Sequence, residues 1–109
     1  MHEGGAVAGA LETVIHDWPV ARKRGQLELE ILDATRAEAG AVGFYASAIL
    51  HEHGLDEVTF TVVTHALACE LCGSMANPSP ANPSCDQCGA PLPRVQGPAV
   101  VCREVAPCA

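Results

Sequence analysis

Cys69-Glu70-Leu71-Cys72-Gly73 and Cys85-Asp86-Gln87-Cys88-Gly89 are two copies of C-x-x-C-G, with twelve residues between Cys72 and Cys85. Two thiolates three positions apart on a tight turn bind one metal. The glycine that follows takes positive φ and lets backbone N–H groups point at the sulfurs. Two such turns predict four sulfurs in a tetrahedron, the closed structural site that Zn²⁺ prefers. Iron takes the same four ligands and is not excluded by the spacing, but that spacing is typical of zinc and favours it. A dithiol redox motif instead places a single C-x-x-C at a helix N-terminus within a βαβ unit. Here the motif occurs twice, and neither copy opens a helical pattern. Cys102 and Cys108 stand outside it and read as a buried strand thiol and an incidental terminal thiol.

From Cys69 to Pro93 the chain is Cys, Gly, Asn, Pro and Ser with almost no apolar core formers, so this segment cannot fold by burial alone. Its middle, Asn77-Pro78-Ser79-Pro80-Ala81-Asn82-Pro83-Ser84, reads as a stiff loop. The flanks carry ordinary periodicities. Val7, Leu11, Val14, Ile15 and Trp18 recur at helical spacing over 4–17, and Pro19 ends that helix. Gly4, Gly5 and Gly9 weaken it by roughly 1 kcal/mol each relative to Ala. Residues 26–32 alternate, with Leu27, Leu29 and Ile31 on one side and Glu28 and Glu30 on the other, as in a strand with one wet face. Residues 34–52 read as a second helix with Val42, Tyr45, Ala46 and Ile49 on its stripe and Gly54 as its C-cap. Residues 58–64 and 99–105 read as further strands. The order predicts an α/β fold: a small sheet of about three strands with two helices on one face, plus an inserted zinc-ribbon-like module. The expected division is an α/β domain over 1–66 and 98–109 and a four-cysteine module over 67–97.

Only 4% of the 109 residues are aromatic, so the core must be built from Ala, Val, Leu and Ile. A core of this size is modest, and a metal staple is in keeping with it. The net charge of −7 argues against nucleic acid and anionic membrane as partners, since both require a basic face. Four thiolates around one dication carry that charge to −9, further from a DNA-binding ribbon. No apolar run reaches the length of a membrane span. Met1-His2-Glu3 carries an acid where a secretory signal carries Lys or Arg. The expectation is a cytoplasmic chain with reduced thiols, whose cysteines are metal ligands rather than disulfides. No Ser/His/Asp order, phosphate loop or paired-acid motif stands out, so no catalysis of its own is expected.

The histidines have plain readings first. His16 is a surface residue near a helix end. His51 and His53 sit in the last turn of the second helix, where an imidazolium suits the dipole. His65 ends a strand beside the cysteine segment and is a weak candidate for contact with it. His2 differs because of its neighbour. The α-amine of Met1, the His2 amide and the His2 imidazole close adjacent chelate rings, and the Glu3 amide supplies a fourth planar nitrogen. Ni²⁺ or Cu²⁺, with their square-planar preference, suit such a set better than Zn²⁺.

Met1-His2-Glu3 opening a helix, then strand, helix and strand, then Cys69, Cys72, Cys85 and Cys88, then a last strand, together resemble the HypA/HybF family along essentially the whole chain. These are nickel metallochaperones of nickel–iron hydrogenase maturation, which in some bacteria also serve urease. The resemblance implies that Met1, His2 and Glu3 bind Ni(II) as transient cargo and that the four cysteines hold a structural Zn(II). It also implies a nickel-inserting GTPase and the hydrogenase large-subunit precursor as partners, with the chain a monomer or homodimer. The chain departs from the family at Gly4-Gly5-Ala6, at Leu32-Asp33 and in a slightly short gap between the cysteine pairs. A zinc-ribbon interaction module without nickel delivery is the alternative, and an iron electron carrier is a third possibility.

Overall fold

The computed structural model describes residues 3–93 and 95–105. Met1, His2 and Cys108 therefore lie outside the described residues, and Glu3 is described by its backbone alone.

The central strand is β1 (Arg24–Ile31), paired in parallel with β2 (Glu57–Thr64) and antiparallel with β5 (Val100–Glu104). The result is a three-stranded mixed sheet in the order β2-β1-β5. Alternation along β1 does what its pattern requires: Leu27, Leu29 and Ile31 are buried at 1% exposure or less. Over them lie α1 (Glu3–Ile15), against β5, and α2 (Ala39–Glu52), against α1 and β2. Val7 and Leu11 of α1 and Val42, Ala46 and Leu50 of α2 complete the core. The opposite face is polar. Arg103 Nε donates to Glu28 across the strand pair at 2.8 Å, and His65 Nε2 lies 2.7 Å from Glu30 Oε2. His65 thus joins the sheet's wet face through Glu30. No helix among the described residues is long and apolar enough to cross a membrane.

The second helix departs from its predicted start. Residues 34–36 form a turn, and α2 begins at Ala39 with the extended Glu38 as N-cap, its carboxylate accepting from the Gly40 N–H at 2.8 Å. The cause is Asp33, whose side chain is fully buried and accepts from both the backbone N–H (3.0 Å) and hydroxyl (2.5 Å) of Thr35 and from Arg36 Nε (2.9 Å). An aspartate that captures backbone donors offers the chain a turn in place of a helix. Tyr45, expected on the buried stripe, is 38% exposed, and Leu50 takes the buried position. The end of α2 is as predicted: Gly54 (φ 70°) donates to His51, and Leu55 donates to Leu50 at 2.8 Å, a Schellman closure.

Arg36 extends the Asp33 turn across the fold. Its Nη2 donates to the Gly97 carbonyl at 2.8 Å, where the chain returns from the cysteine segment into β5. Burial opposes ionisation of Asp33, but its bonds from Thr35 and Arg36 outweigh burial and hold the carboxyl below the usual range. Asp33→Ala is therefore expected to lose about 2–4 kcal/mol in urea melts at pH 7, because it strands the Thr35 donors and the Arg36 charge. A folded-state pKa below the unfolded one means that the ionised carboxyl stabilises fully above about pH 4. The wild-type advantage should shrink as pH falls through the lowered value. A gap between wild type and variant that stays constant down to acid pH would refute this account.

Candidate metal centre

The cysteine segment forms two matching turns. After β2 come the two-residue strands β3 (Leu67–Ala68) and β4 (Met75–Ala76), a short antiparallel hairpin with Cys69 and Cys72 in its turn. Cys69 N–H donates to Ser74 O at 2.9 Å and Gly73 N–H to Cys69 O at 2.9 Å. The second turn repeats this: Cys85 N–H to Ala90 O and Gly89 N–H to Cys85 O, both 2.8 Å. Gly73 and Gly89 have φ of 76° and 77°. A side chain is strained in that left-handed region, which is why each C-x-x-C is followed by Gly.

The two turns face each other. Cys69 and Cys88 Sγ are 3.6 Å apart, Cys72 and Cys85 Sγ 3.7 Å, and all four sulfurs lie within 4.8 Å of one another. A Zn–S bond near 2.3 Å in a tetrahedron requires sulfurs about 3.8 Å apart. The donor set fits Zn²⁺ in number, softness and spacing. Among the described residues, no other cluster of His, Cys and carboxylate side chains comes close enough to share an ion. His51 instead bonds Asp56 at 2.7 Å, which raises its pKa. Cys102, expected as a buried strand thiol, packs half-buried against the main core, and burial pushes its thiol up to about 11.

Backbone donors surround the sulfurs. The N–H groups of Cys72 and Leu71 lower the Cys69 pKa, and the Ser74 hydroxyl and N–H bring Cys72 down to about 6. Gln87 N–H points at Cys85 Sγ at 3.4 Å. The Ala90 N–H also favours a Cys88 thiolate, but the neighbouring sulfurs and burial overcome it and push that thiol up to about 12. Four sulfurs this close do not all ionise without a cation between them, and a divalent metal relieves that conflict. Cys69 and Cys85 are buried, while Cys72 and Cys88 face solvent. Ser74 was not singled out from the sequence. Its signal was available: it occupies the place after the first C-x-x-C-G that Ala90 occupies after the second.

The buried residues here are Cys69, Ala76, Cys85, Ala90 and Leu92, a cluster distinct from the main core. So little apolar burial gives the segment a weak core of its own, which a metal at the four cysteines would reinforce. Stripping the protein with a strong chelator is expected to release one zinc per chain and to expose the amides of 69–92 to hydrogen exchange, while those of β1 stay protected. Cys85→Ser should reproduce this without chelator. Unchanged protection of 69–92 in the metal-free protein would refute a structural role. Comparison of the chain with family models, with curated proteins and with solved structures found no match.

Proposed function

We propose that this chain is a nickel-binding metallochaperone that delivers Ni(II) for maturation of nickel–iron hydrogenase, with a structural zinc at Cys69, Cys72, Cys85 and Cys88. The observation that carries the zinc half is the convergence of four sulfurs within 4.8 Å. A closed four-thiolate site has no open position for a substrate, so the zinc supports the fold and performs no catalysis. The nickel half rests on the donor chemistry of Met1-His2-Glu3 and on the family resemblance. One backbone feature supports it. The described helix α1 starts at Glu3. The first four N–H groups of a helix have no acceptor within it. The Glu3 amide can therefore be given to a metal without breaking a helical hydrogen bond.

A nickel site of amine, backbone nitrogens and one imidazole suits cargo, because its ligands exchange one at a time. The −7 charge raises the local concentration of cations in a salt-dependent way. A nickel-inserting GTPase and the hydrogenase large-subunit precursor are the partners this reading names, in the cytoplasm, where thiols stay reduced. A second reading, a zinc-ribbon interaction module without nickel, is favoured by Leu71 in the first turn and Met75 at the start of β4, 81% and 64% exposed. Apolar side chains held out by a rigid turn suit a docking contact.

Native mass spectrometry of zinc-loaded protein with a free Met1 amine, titrated with Ni²⁺, separates the two. The expected result is one added nickel, lost in His2→Ala and after acetylation of the α-amine, with zinc retained in each case. Binding should weaken on acidification, since the amine and imidazole must be deprotonated to coordinate. Nickel uptake indifferent to both changes would sink the delivery role and leave the interaction module.

A further inference from the structure

One Trp, one Tyr and two Phe are all the aromatic residues of the chain, and Phe44 and Tyr45 stand side by side on α2. Their rings meet edge to face, with centroids 5.5 Å apart and planes at 74°. Neither belongs to the main core: Phe44 is 69% exposed and Tyr45 38%. What Tyr45 touches is the start of α1. A Cβ built on Gly4 would lie 3.3, 3.4 and 3.6 Å from Cε1, Cδ1 and Cζ of the Tyr45 ring. Gly5 and Gly9 have open space in that place, so the close approach is particular to Gly4. Gly4, Val7 and Leu11 share one face of α1 by helical spacing, and Val7 and Leu11 are fully buried on it. Where this face leaves the core, the Tyr45 ring takes the space of the side chain that Gly4 lacks.

The ring leans toward the first residues of the chain. α1 and α2 lie side by side and run the same way: Gly4 meets Tyr45 near one end, and Glu12 and Ile15 share a cavity with His53 and Leu55 at the other. A helical side chain points back toward its own N-terminus and covers the turn before its Cα. Tyr45 therefore reaches along α1 toward Glu3. The Glu3 amide, one of the nitrogens assigned to nickel, belongs to the residue just before Gly4.

We propose that the Tyr45 ring covers one side of the N-terminal nickel site and slows release of the ion. The proposal rests on the nickel reading given above. A metal in a plane of four nitrogens exchanges them mainly by attack of a new ligand from above or below that plane. A ring packed on the first turn keeps water and small chelators from the side it covers, as the apolar shell of a metal site does. A side chain at position 4 would compete with the ring for this space, which gives glycine a reason there despite its cost to the helix. Gly4 is also one of the positions at which the chain departs from the family it resembles, and Tyr45 fills the gap from α2. Phe44, set edge to face, braces the ring. Since the ring is itself at the surface, a docking partner can lift it, so retention is compatible with delivery.

Two measurements on the zinc-loaded chain with a free Met1 amine test this. Stopped-flow transfer of nickel to excess EDTA gives the release rate. Tyr45→Ala is expected to lose nickel about tenfold faster than wild type, whereas Tyr45→Phe, which keeps the ring, should match wild type. Amide protection of α1 should be the same in all three. The second measurement uses copper(II), which suits the same planar donors, as a paramagnetic probe of unmodified wild type. Ring resonances of Tyr45 and Phe44 should broaden as copper binds, and not in His2→Ala. Those of Trp18, about 20 Å from Gly4 along the helix, should stay sharp. Tyr45 signals that stay sharp while copper binds through His2 overturn the cover and leave the nickel reading standing. So do equal release from wild type and Tyr45→Ala, equally fast release from both variants, or fast release matched by lost protection of α1. Absence of any His2-dependent metal uptake overturns both.

Discussion

Holding four sulfur atoms within 4.8 Å of one another is unfavourable for a bare polypeptide and favourable around a divalent metal. Much of this molecule follows from that opposition. The backbone of both turns is bent to aim N–H groups at sulfur, which requires positive φ at Gly73 and Gly89. The loop between the turns carries few apolar residues, in keeping with closure by coordination at the four cysteines. The buried cluster can then be as small as Cys69, Ala76, Cys85, Ala90 and Leu92. It also explains the contrast within each pair of ligands. The first cysteine of each turn is buried and the second faces solvent, so a metal held there sits at the surface of the segment with its coordination closed.

The α/β layer has a separate core and a separate logic. Leu27, Leu29 and Ile31 on the central strand bury one face under two helices, and the other face is stitched by Glu28 with Arg103 and Glu30 with His65. Exposed pairs of this kind contribute little stability each. Their role is to make that face soluble and leave the helices a single side to cover. Asp33 and Arg36 join the two parts. The buried carboxylate shapes the turn before α2, and the guanidinium it holds reaches the backbone at Gly97, where the chain leaves the cysteine segment. One ion pair therefore sets both where a helix begins and where the last strand enters the sheet.

On the proposed reading, two metals divide two tasks according to their ligands. Thiolates in a closed tetrahedron hold on to their metal and support a fold. Backbone nitrogens at the start of a helix offer a site that opens readily. A chain with few aromatic residues and a thin core gains order from the first without tying the second to its interior.

What could be read in advance was whatever depends on neighbours in the chain. Metal ligands three apart on a turn, alternation along a strand with one wet face, and a glycine closing a helix are local constraints, and Cys69, Cys72, Cys85, Cys88, β1 and Gly54 all stand where their patterns put them. The start of α2 was misread because helix propensity continues through Ala34 and Ala37, while the side chain that overrides it owes its effect to complete burial. The hairpin of β3 and β4 was missed because two-residue strands carry no periodicity. His65 met Glu30 rather than the cysteines because parallel pairing of β2 with β1 carries it to that neighbour. Strand order and the seat of the Tyr45 ring on Gly4 rest on contacts between residues far apart in the chain. Such contacts depend on how faces of similar hydrophobicity fit together in space, and a periodicity, being one-dimensional, does not encode that fit.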